Sequence, residues 1–399
     1  MTALTVQTLT ATEAAARLGV SRQSLYAYVS RGLLRAQTAN GSRNSRYLAE
    51  EVDRLVGQRA SGRRPKEVAK AALDWGTPVL SSALTLIADG CLYYRGHDAL
   101  ELARSASVEA VAALLWNVPV TLAFGAEPPV GRIVDTGTPG LASETLLARF
   151  AAMASDDPTA VWQMDAVKVA AGCGVLIRLL AACLLGAAPD AAPIHRQCAK
   201  AWDLDDAGAD LLRKALVLCA DHELNASSFT ARCVASTGAS LRASVIAGLA
   251  ALSGPRHGGL TSKVEAFWDT LDAAARPEVI LRQHLAGGEG IPGFGHPLYP
   301  QGDVRATALL GYLLPHHPEW RAWMDEAKAQ TGQHPNIDLA LVALRRHLRL
   351  PSGGAFGLFA LGRSIGWIAH ALEQRSDRRL IRPRAIYSGP PPTGKPRPA

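Results

Sequence analysis

The sequence lacks most of the motifs that mark secreted, nucleotide-binding and membrane proteins. Its six cysteines include no Cys-x-x-Cys pair, so we expect small buried residues in a reducing compartment. No Walker motif and no dinucleotide-binding fingerprint occurs. The first residues have neither the basic nor the apolar part of a secretion signal. The longest apolar run, residues 169–185, contains Arg178, which would be costly in a bilayer. We therefore expect a cytoplasmic protein with no membrane partner.

Aromatic residues are also few, at 6% of the 399 residues, whereas hydrophobic residues make up 48%, with alanine and leucine dominant. Because these two residues lose little freedom on entering a helix, the composition predicts a mainly α protein. The length allows two or three domains and a large buried core.

Acidic residues are scarce at one end of the chain only. Residues 1–70 hold twelve of the 42 lysines and arginines but only five of the 35 acidic residues. Residues 71–399 therefore hold thirty basic and thirty acidic residues. All of the net charge of +7 therefore lies in the first 70 residues. Such a distribution is typical of a nucleic-acid-binding module attached to a neutral protein.

The basic end is predicted to contain a helix-turn-helix. A first short helix begins near Thr12 and stops at Gly19, and Ser21 caps a second helix over residues 22–31. Arg22 and its neighbours lie at the exposed start of that second helix, where groove contacts are made. We expect a small core built from one side of the two helices, namely Ala16, Leu18, Val20, Leu25 and Val29.

Residues 14–21 and 32–34 resemble the first two helices of the MerR and excisionase type of winged helix-turn-helix. Residues 41–47 resemble its wing, and residues 50–55 its closing helix. The resemblance implies DNA as a partner through residues 10–60. A helical dimerisation or docking domain that binds no nucleic acid is the alternative, since the fold is also used that way.

One later stretch, residues 290–305, combines four glycines with His296 and cannot be a regular helix or strand. Glycines let a backbone approach a ligand closely, and prolines fix the bends. Asp303 and Arg305 follow the histidine closely. By itself this stretch, which we call the glycine segment, is equally consistent with a surface loop that contains a histidine by chance.

Seven short segments together carry a resemblance to one family. In chain order they are a predicted hairpin turning at Asp89-Gly90 and running to residue 96, and residues 221–227, 254–259, 290–305, 334–338, 362–370 and 381–387. They resemble the citrate synthase family over residues 76–389. The implied fold has large and small helical domains behind an N-terminal winged helix-turn-helix. The predicted boundaries are helix-turn-helix 1–60, basic linker 61–75, large domain 76–255 and 343–389, small domain 256–342, and a proline-rich disordered tail 390–399.

The resemblance implies catalytic roles for three residues. Asp338 would be the base that removes a methyl proton from an acyl-CoA, and His257 would donate a hydrogen bond to the thioester oxygen. His296 would polarise the ketone of a 2-oxoacid. This division of labour suits the chemistry, because a thioester methyl group is too weak an acid for a base alone.

The resemblance also implies binding roles. The residues around the carboxylates of the 2-oxoacid would be His222, Arg305 and Arg363, and Arg382 would reach into the site of the partner subunit of a homodimer. The backbone of the glycine segment would lie along CoA through Ile291, Pro292, Gly293, Phe294 and Gly295. CoA enters as the co-substrate acetyl-CoA, and we expect neither a metal nor a permanently bound cofactor.

The sequence thus predicts condensation of acetyl-CoA, or a short acyl-CoA, with oxaloacetate or a related 2-oxoacid. Residues 339–344 depart from the usual family pattern, as do Arg256 and Leu260-Thr261 beside His257. We expect these positions to shape the pocket for a 2-oxoacid other than oxaloacetate. Two other functions stay open: a DNA-binding transcription regulator that uses the fold as a metabolite sensor, and a citryl-CoA lyase.

Overall fold

The computed structural model describes residues 8–18, 20, 25, 28–29, 34, 36–38, 45–49, 52, 80–128, 143–153, 159–160, 162–385 and 387–390. The chain divides into two compact units, residues 1–81 with 384–399 and residues 82–383. The predicted boundaries between a large and a small domain stay a prediction. Most of the predicted tail, residues 391–399, lies outside the described residues.

The first unit contains a short helix and a small antiparallel sheet. Its elements are β1 (Thr8–Thr10), α1 (Ala11–Leu18), β2 (Ala36–Thr38) and β3 (Ser45–Leu48), with strand order β1-β3-β2. The helix begins with a capping box: the backbone N–H of Glu13 donates to the Thr10 hydroxyl, and the Thr10 N–H donates to the Glu13 carboxylate. The helix therefore begins at Ala11, beside the predicted start.

The core of this unit confirms most of the predicted positions. Leu18 and Leu25 are buried, and Val20 and Val29 pack against the core. The prediction for Ala16 is wrong, because α1 turns that residue to the exposed side. The buried residues of the core are Ala14, Ala15, Leu18, Leu25, Leu34, Tyr47 and Val52. Much of the predicted second helix, of the wing and of the closing helix lies outside the described residues.

The second unit opens with the predicted hairpin. Strands β4 (Thr85–Ala88) and β5 (Cys91–Tyr94) pair antiparallel, and β6 (His97–Asp98) extends the sheet. Asp89 and Gly90 both have positive φ, at +52° and +74°. This is the backbone of the tight hairpin turn that an Asp-Gly pair favours.

The rest of the second unit, as far as the structure describes it, is helical. The helices are α2 (Ala99–Ser105), α3 (Val108–Trp116), α4 (Val120–Phe124), α5 (Ser143–Ala152), α6 (Ala166–Leu185), α7 (Ile194–Ala201), α8 (Asp206–Leu218), α9 (Ala226–Ser236), α10 (Leu241–Leu252), α11 (Leu260–Asp272), α12 (Pro277–Ala286), α13 (Val304–Leu313), α14 (Pro318–Thr331), α15 (Ile337–His347) and α16 (Gly354–Asp377), with a 3₁₀ turn at Leu314–His316. The predicted mainly α fold is confirmed.

Helix α16 is the centre of this unit. It packs against α8, α9, α10 and α15, and nearly all of its residues up to Ala371 are buried. Both α6 and α16 are long and apolar enough to cross a membrane, but the unit buries 72% and 94% of their most apolar windows. In α6, Arg178 donates hydrogen bonds to the carbonyl oxygens of Phe124 and Ala126. Helices α6 and α16 therefore belong to the hydrophobic core of this unit.

The cysteines fit the predicted role of small core residues. Cys173, Cys183, Cys198 and Cys219 are buried, and all six cysteines are free. Burial raises the pKa of each of these four thiols to about 12. They are therefore neutral and unreactive at physiological pH.

Candidate active site

The first part of the site is the start of α15, where Asp338 is the second residue of the helix. The Asn336 side chain caps this helix by accepting the N–H groups of Asp338 and Leu339 at 3.1 and 3.4 Å. The Asp338 carboxyl is buried, and its Oδ1 has no hydrogen-bond partner. Burial raises its pKa from 3.8 to about 7. Asp338 is thus a carboxyl whose proton can be exchanged near neutral pH.

The glycine segment is bonded to the residues just before α15. The Asn336 N–H donates to the Gly293 carbonyl, and the Gly295 N–H donates to the His334 carbonyl, both at 2.8 Å. Gly293 and Gly295 have φ of +83° and +79°, which other residues rarely adopt. A Cβ on Gly293 would lie 2.8 Å from the Leu339 Cβ. The predicted CoA-binding backbone therefore lies directly against the helix that carries Asp338.

The glycine segment also presents His296 in a defined tautomer. The Leu298 backbone N–H donates to His296 Nδ1 at 3.2 Å. Burial, followed by the Arg305 charge, lowers the His296 pKa to about 4, so the ring is neutral. Because Nδ1 accepts, the single ring proton is on Nε2. His296 can therefore donate a hydrogen bond to a ketone oxygen through Nε2.

His222 lies beside His296, with the ring centroids 5.1 Å apart and the rings nearly perpendicular. Its Nε2 is 3.1 Å from the Tyr299 hydroxyl. Burial, and next the charges of Arg305 and Arg363, hold the His222 pKa well below 6.5. His222 is therefore a neutral polar group placed among cations.

Hydrogen bonds on two sides hold the loop that carries His222. The Gly366 N–H of α16 donates to the Ala220 carbonyl at 2.9 Å, and the Thr85 hydroxyl of the hairpin donates to Asp221 at 2.5 Å. A Cβ on Gly366 would lie 2.2 Å from Asp221 Oδ1. The hairpin therefore has a positioning role, because it clamps the His222 loop against α16.

Arg305 follows Asp303 at the start of α13, and both side chains are fully buried. The Arg305 Nε and Nη2 donate to the two Asp303 oxygens at 2.9 and 2.8 Å, and the Ile337 N–H donates to the same carboxylate at 3.0 Å. The pair thus joins α13 to the start of α15. The fork occupies Nε and Nη2, so Nη1 is the nitrogen with which Arg305 can bind a second carboxylate.

Arg363 is the other buried guanidinium of the site. Its Nε donates to the Cys219 carbonyl at 2.9 Å, while its Nη2 is buried and has no hydrogen-bond partner. Burial lowers its pKa, and Asp221 is the carboxylate that most offsets this effect. An unpaired buried N–H of a cation is costly, so this atom is well placed for an anionic ligand.

His257 stands at the end of a short network of buried polar groups. Its Nε2 is 2.8 Å from the Ser227 hydroxyl, and its ring lies edge-on to Phe359 with centroids 6.2 Å apart. Burial, then Arg363 and Arg305, lowers the His257 pKa to about 4. A neutral His257 can act as a hydrogen-bond donor without carrying charge.

The structure therefore brings six predicted residues into one electrostatic neighbourhood. Arg305 and Arg363 both act on the pKa values of His222, His257, His296 and Asp338. Arg382 is different: it is exposed in the extended chain after α16. Its predicted entry into a partner's site stays a prediction, as do the roles of the other residues.

Residues 339–344 are all fully buried in the hydrophobic core of the second unit, and Leu339 lies against Gly293 of the glycine segment. Their predicted effect on the pocket stays a prediction. Tyr299 and Ser227 contact the predicted residues His222 and His257, and Trp367 contacts Ser227, but the sequence predicts no role for these three. Ser227 is the last residue of the segment 221–227, but nothing in the sequence predicts its contact with a histidine thirty positions away.

The Asp338→Asn substitution should change how the free energy of unfolding depends on pH. Because the folded pKa is about 7 and the ordinary value is 3.8, the unfolded chain ionises first and the folded state is penalised as pH rises between these values. We expect the variant and wild type to be similar near pH 4. Above pH 7 the variant should be more stable by up to about 4 kcal/mol. Chemical denaturation across this pH range measures the free energy of unfolding of both proteins. A difference between variant and wild type that does not vary with pH would contradict the raised pKa.

Fold and site together define a helical protein with a buried carboxyl, neutral histidines and two buried arginines. The model of the citrate synthase C-terminal domain family matches residues 141–384, and a helix-turn-helix domain model matches residues 8–60. Citrate synthase of Haloferax volcanii is 30% identical over 357 residues, which are 79% of this chain and 94% of that protein. The chain belongs to the citrate synthase family.

One further curated relative and two solved structures are also similar to this chain. Citrate synthase 2 of Bacillus subtilis is 36% identical over 190 residues, and the match spans 51% of its length and 45% of this chain. The chain thus spans about half the length of the first curated relatives it matches. The citrate synthase structure from Thermotoga maritima has a TM-score of 0.64 at 25% identity, covering 80% of this chain and 96% of that one. A ternary complex of citrate synthase from Thermoplasma acidophilum with carboxymethyl coenzyme A and oxaloacetate has a TM-score of 0.66 at 24% identity, covering 82% and 97%.

Proposed function

We propose that this protein condenses a short acyl-CoA, such as acetyl-CoA, with oxaloacetate or a related 2-oxoacid and releases a citrate-type product and CoA. The observation that carries the proposal is the site itself. A buried carboxyl with a pKa of about 7 and an unpaired oxygen lies in one electrostatic neighbourhood with neutral histidines and a buried guanidinium whose Nη2 is unpaired. These buried groups can remove a proton and bind an anionic ligand away from bulk water.

In the first step Asp338 would remove a proton from the methyl carbon of the acyl-CoA. A carboxyl with a pKa near the working pH is well matched to this task. His257 would donate to the thioester oxygen while negative charge develops there, which stabilises the enolate. A neutral His257 fits this role, because a neutral donor does not attract a second anion into the pocket.

In the second step the enolate carbon would attack the ketone carbon of the 2-oxoacid, and a new carbon–carbon bond would form. His296 would donate its Nε2 proton toward the ketone oxygen, consistent with the tautomer that Leu298 imposes. Arg363, Arg305 and His222 would hold the carboxylates. Water would then hydrolyse the thioester, which gives the free acid and the CoA thiol.

The backbone of residues 291–295 would lie along CoA. Its two left-handed glycines bring the main chain close to the start of α15, so CoA bound there would place its thioester near Asp338. The similar Thermoplasma protein was solved with carboxymethyl coenzyme A, which supports a CoA substrate for this fold. A homodimer completed by Arg382, and a cytoplasmic location, are further parts of the proposal.

Release of the CoA thiol tests the proposed reaction. Purified protein is incubated with acetyl-CoA or propionyl-CoA and a panel of 2-oxoacids, with the thiol measured over time. We expect thiol release that depends on both substrates. Thiol release that needs no 2-oxoacid would indicate hydrolysis, and absence of release with every pair would remove the synthase proposal. Formation of acetyl-CoA from citryl-CoA alone would favour the lyase.

A second function is supported by the basic first unit, whose family model is that of a helix-turn-helix domain. We propose that residues 10–60 contact DNA. Binding of duplex DNA to the full chain should weaken at least about tenfold between 50 and 200 mM salt. Arg22→Glu should weaken it further, whereas the exposed Arg321→Glu should not. Binding that is insensitive to both salt and Arg22 would favour a docking role.

A further inference from the structure

The Tyr299 hydroxyl is a buried polar group of the site to which the proposed mechanism gives no role. Tyr299 is 3% exposed, and its hydroxyl oxygen is 3.1 Å from His222 Nε2. That contact is the one hydrogen bond of the hydroxyl among the residues that the structure describes. Burial raises the pKa of Tyr299 to about 12, so the hydroxyl keeps its proton at neutral pH. Tyr299 is therefore a neutral hydrogen-bond partner of His222.

The glycine segment fixes where the Tyr299 ring lies. The Tyr299 backbone N–H donates to the His296 carbonyl, and the Gly302 N–H donates to the Tyr299 carbonyl, both at 3.0 Å. Two successive turns therefore hold this part of the backbone. The centroid of the Tyr299 ring is 5.1 Å from that of His296, 5.5 Å from that of His222 and 5.6 Å from Arg305 Cζ. The side chain thus lies among three residues predicted to contact the 2-oxoacid.

The relative acidity of the two groups decides which one donates. His222 is neutral, because burial and next the Arg305 charge hold its pKa well below 6.5, so its ring has one N–H and one lone pair. A phenol O–H is a stronger acid than the N–H of a neutral imidazole, and an imidazole nitrogen is a better acceptor than a phenol oxygen. The Tyr299 hydroxyl therefore donates to His222 Nε2. The single proton of the His222 ring is then on Nδ1.

We propose that Tyr299 is a positioning residue that makes His222 a donor to a carboxylate of the 2-oxoacid. Its hydroxyl occupies Nε2 and keeps the ring proton on Nδ1, the nitrogen that has no partner in the part of the chain that the structure describes. A carboxylate accepts hydrogen bonds and is repelled by a ring lone pair, so the opposite tautomer could not serve this role. The inference rests on the proposed function, which gives His222 a substrate carboxylate to hold.

Binding of the 2-oxoacid to Tyr299→Phe tests the proposal. The substitution removes the hydroxyl and keeps the ring that lies against His296 and Arg305. We expect the Kd of the 2-oxoacid that supports thiol release, measured by calorimetry, to rise about tenfold, the effect of losing one buried hydrogen bond. The KM for the acyl-CoA should stay unchanged, because the hydroxyl acts through a residue that holds the 2-oxoacid.

A control variant and a double mutant make the test specific to the hydroxyl. Tyr312→Phe is the matched control, because Tyr312 is 41% exposed and its ring packs under Lys214, with Nζ 4.8 Å from the centroid. Its Kd for the 2-oxoacid should equal that of wild type. In a His222→Ala background, Tyr299→Phe should cause no further loss of affinity. Equal losses in the two tyrosine variants, or an undiminished loss in the His222→Ala background, would overturn the proposal.

The tautomer of His222 can also be measured directly. Long-range ¹H–¹⁵N spectra of the full chain labelled at histidine, assigned with His222→Gln, report which ring nitrogen carries the proton. We expect Nδ1–H in wild type and in Tyr312→Phe, and a shift toward Nε2–H, the tautomer that a free imidazole side chain favours, in Tyr299→Phe. A wild-type Nε2–H, or a spectrum that Tyr299→Phe does not change, would overturn the proposal. This measurement decides even if no substrate pair is turned over, which would refute the proposed function separately.

Discussion

Asp338→Asn is expected to lower kcat by about a thousandfold while the protein stays folded. The amide cannot accept the methyl proton, and a positioned base contributes about 10²–10⁴ to such a reaction. The carboxyl is suited to the task because it is buried at the start of α15, with a pKa of about 7. The measurement is the rate of thiol release at saturating substrates, together with circular dichroism of the variant.

The pH dependence of wild type provides the companion result. The rate should rise as Asp338 ionises, with a midpoint near pH 7, because the ionised form is the base. Asp325→Asn is a suitable control, since Asp325 is exposed on α14. Activity of Asp338→Asn within a few-fold of wild type would refute the assignment of the base.

Arg363→Gln is expected to raise the KM for the 2-oxoacid by about a hundredfold, the scale for losing one partner of a buried charge pair. Its buried, unpaired Nη2 is the best-placed donor for a substrate carboxylate. The KM for the acyl-CoA should change little. Arg363→Lys should restore only part of the affinity, because an ammonium cannot reproduce the planar fork that also reaches the Cys219 carbonyl.

A second buried arginine supplies the control. Arg178 of α6 is also buried, but it donates to backbone carbonyls and lies among none of the predicted substrate-binding residues. Arg178→Gln should therefore lower stability and leave both KM values unchanged. If Arg178→Gln raises the KM for the 2-oxoacid as much as Arg363→Gln does, the effect is one of folding and not of carboxylate binding.

The sequence was most informative where a feature depends on residues close together in the chain. The predicted Asp89-Gly90 turn involves two neighbours, so local chemistry determines it. Helix α1 shows the limit even at short range. Its register buries Ala14 and Ala15 and exposes Ala16, and three consecutive alanines carry no periodic signal to distinguish them.

Contacts between distant segments could not be predicted in the same way. Ser227 meets His257 and Trp367 because α16 passes through the centre of the unit, and that packing follows from the whole core. The burial of all six residues 339–344 likewise follows from the packing of α15 among its neighbours and not from their own sequence.

The fate of the methyl hydrogens of the acyl-CoA tests the central claim most directly. Acetyl-CoA with a fully deuterated methyl group is incubated with the protein and the 2-oxoacid that supports thiol release, and the products are identified by mass spectrometry. Condensation through Asp338 predicts a citrate-type acid that retains two of the three deuterons, formed in equal amount with the CoA thiol. Recovery of fully deuterated acetate in place of that acid would show that no carbon–carbon bond forms and would contradict the account.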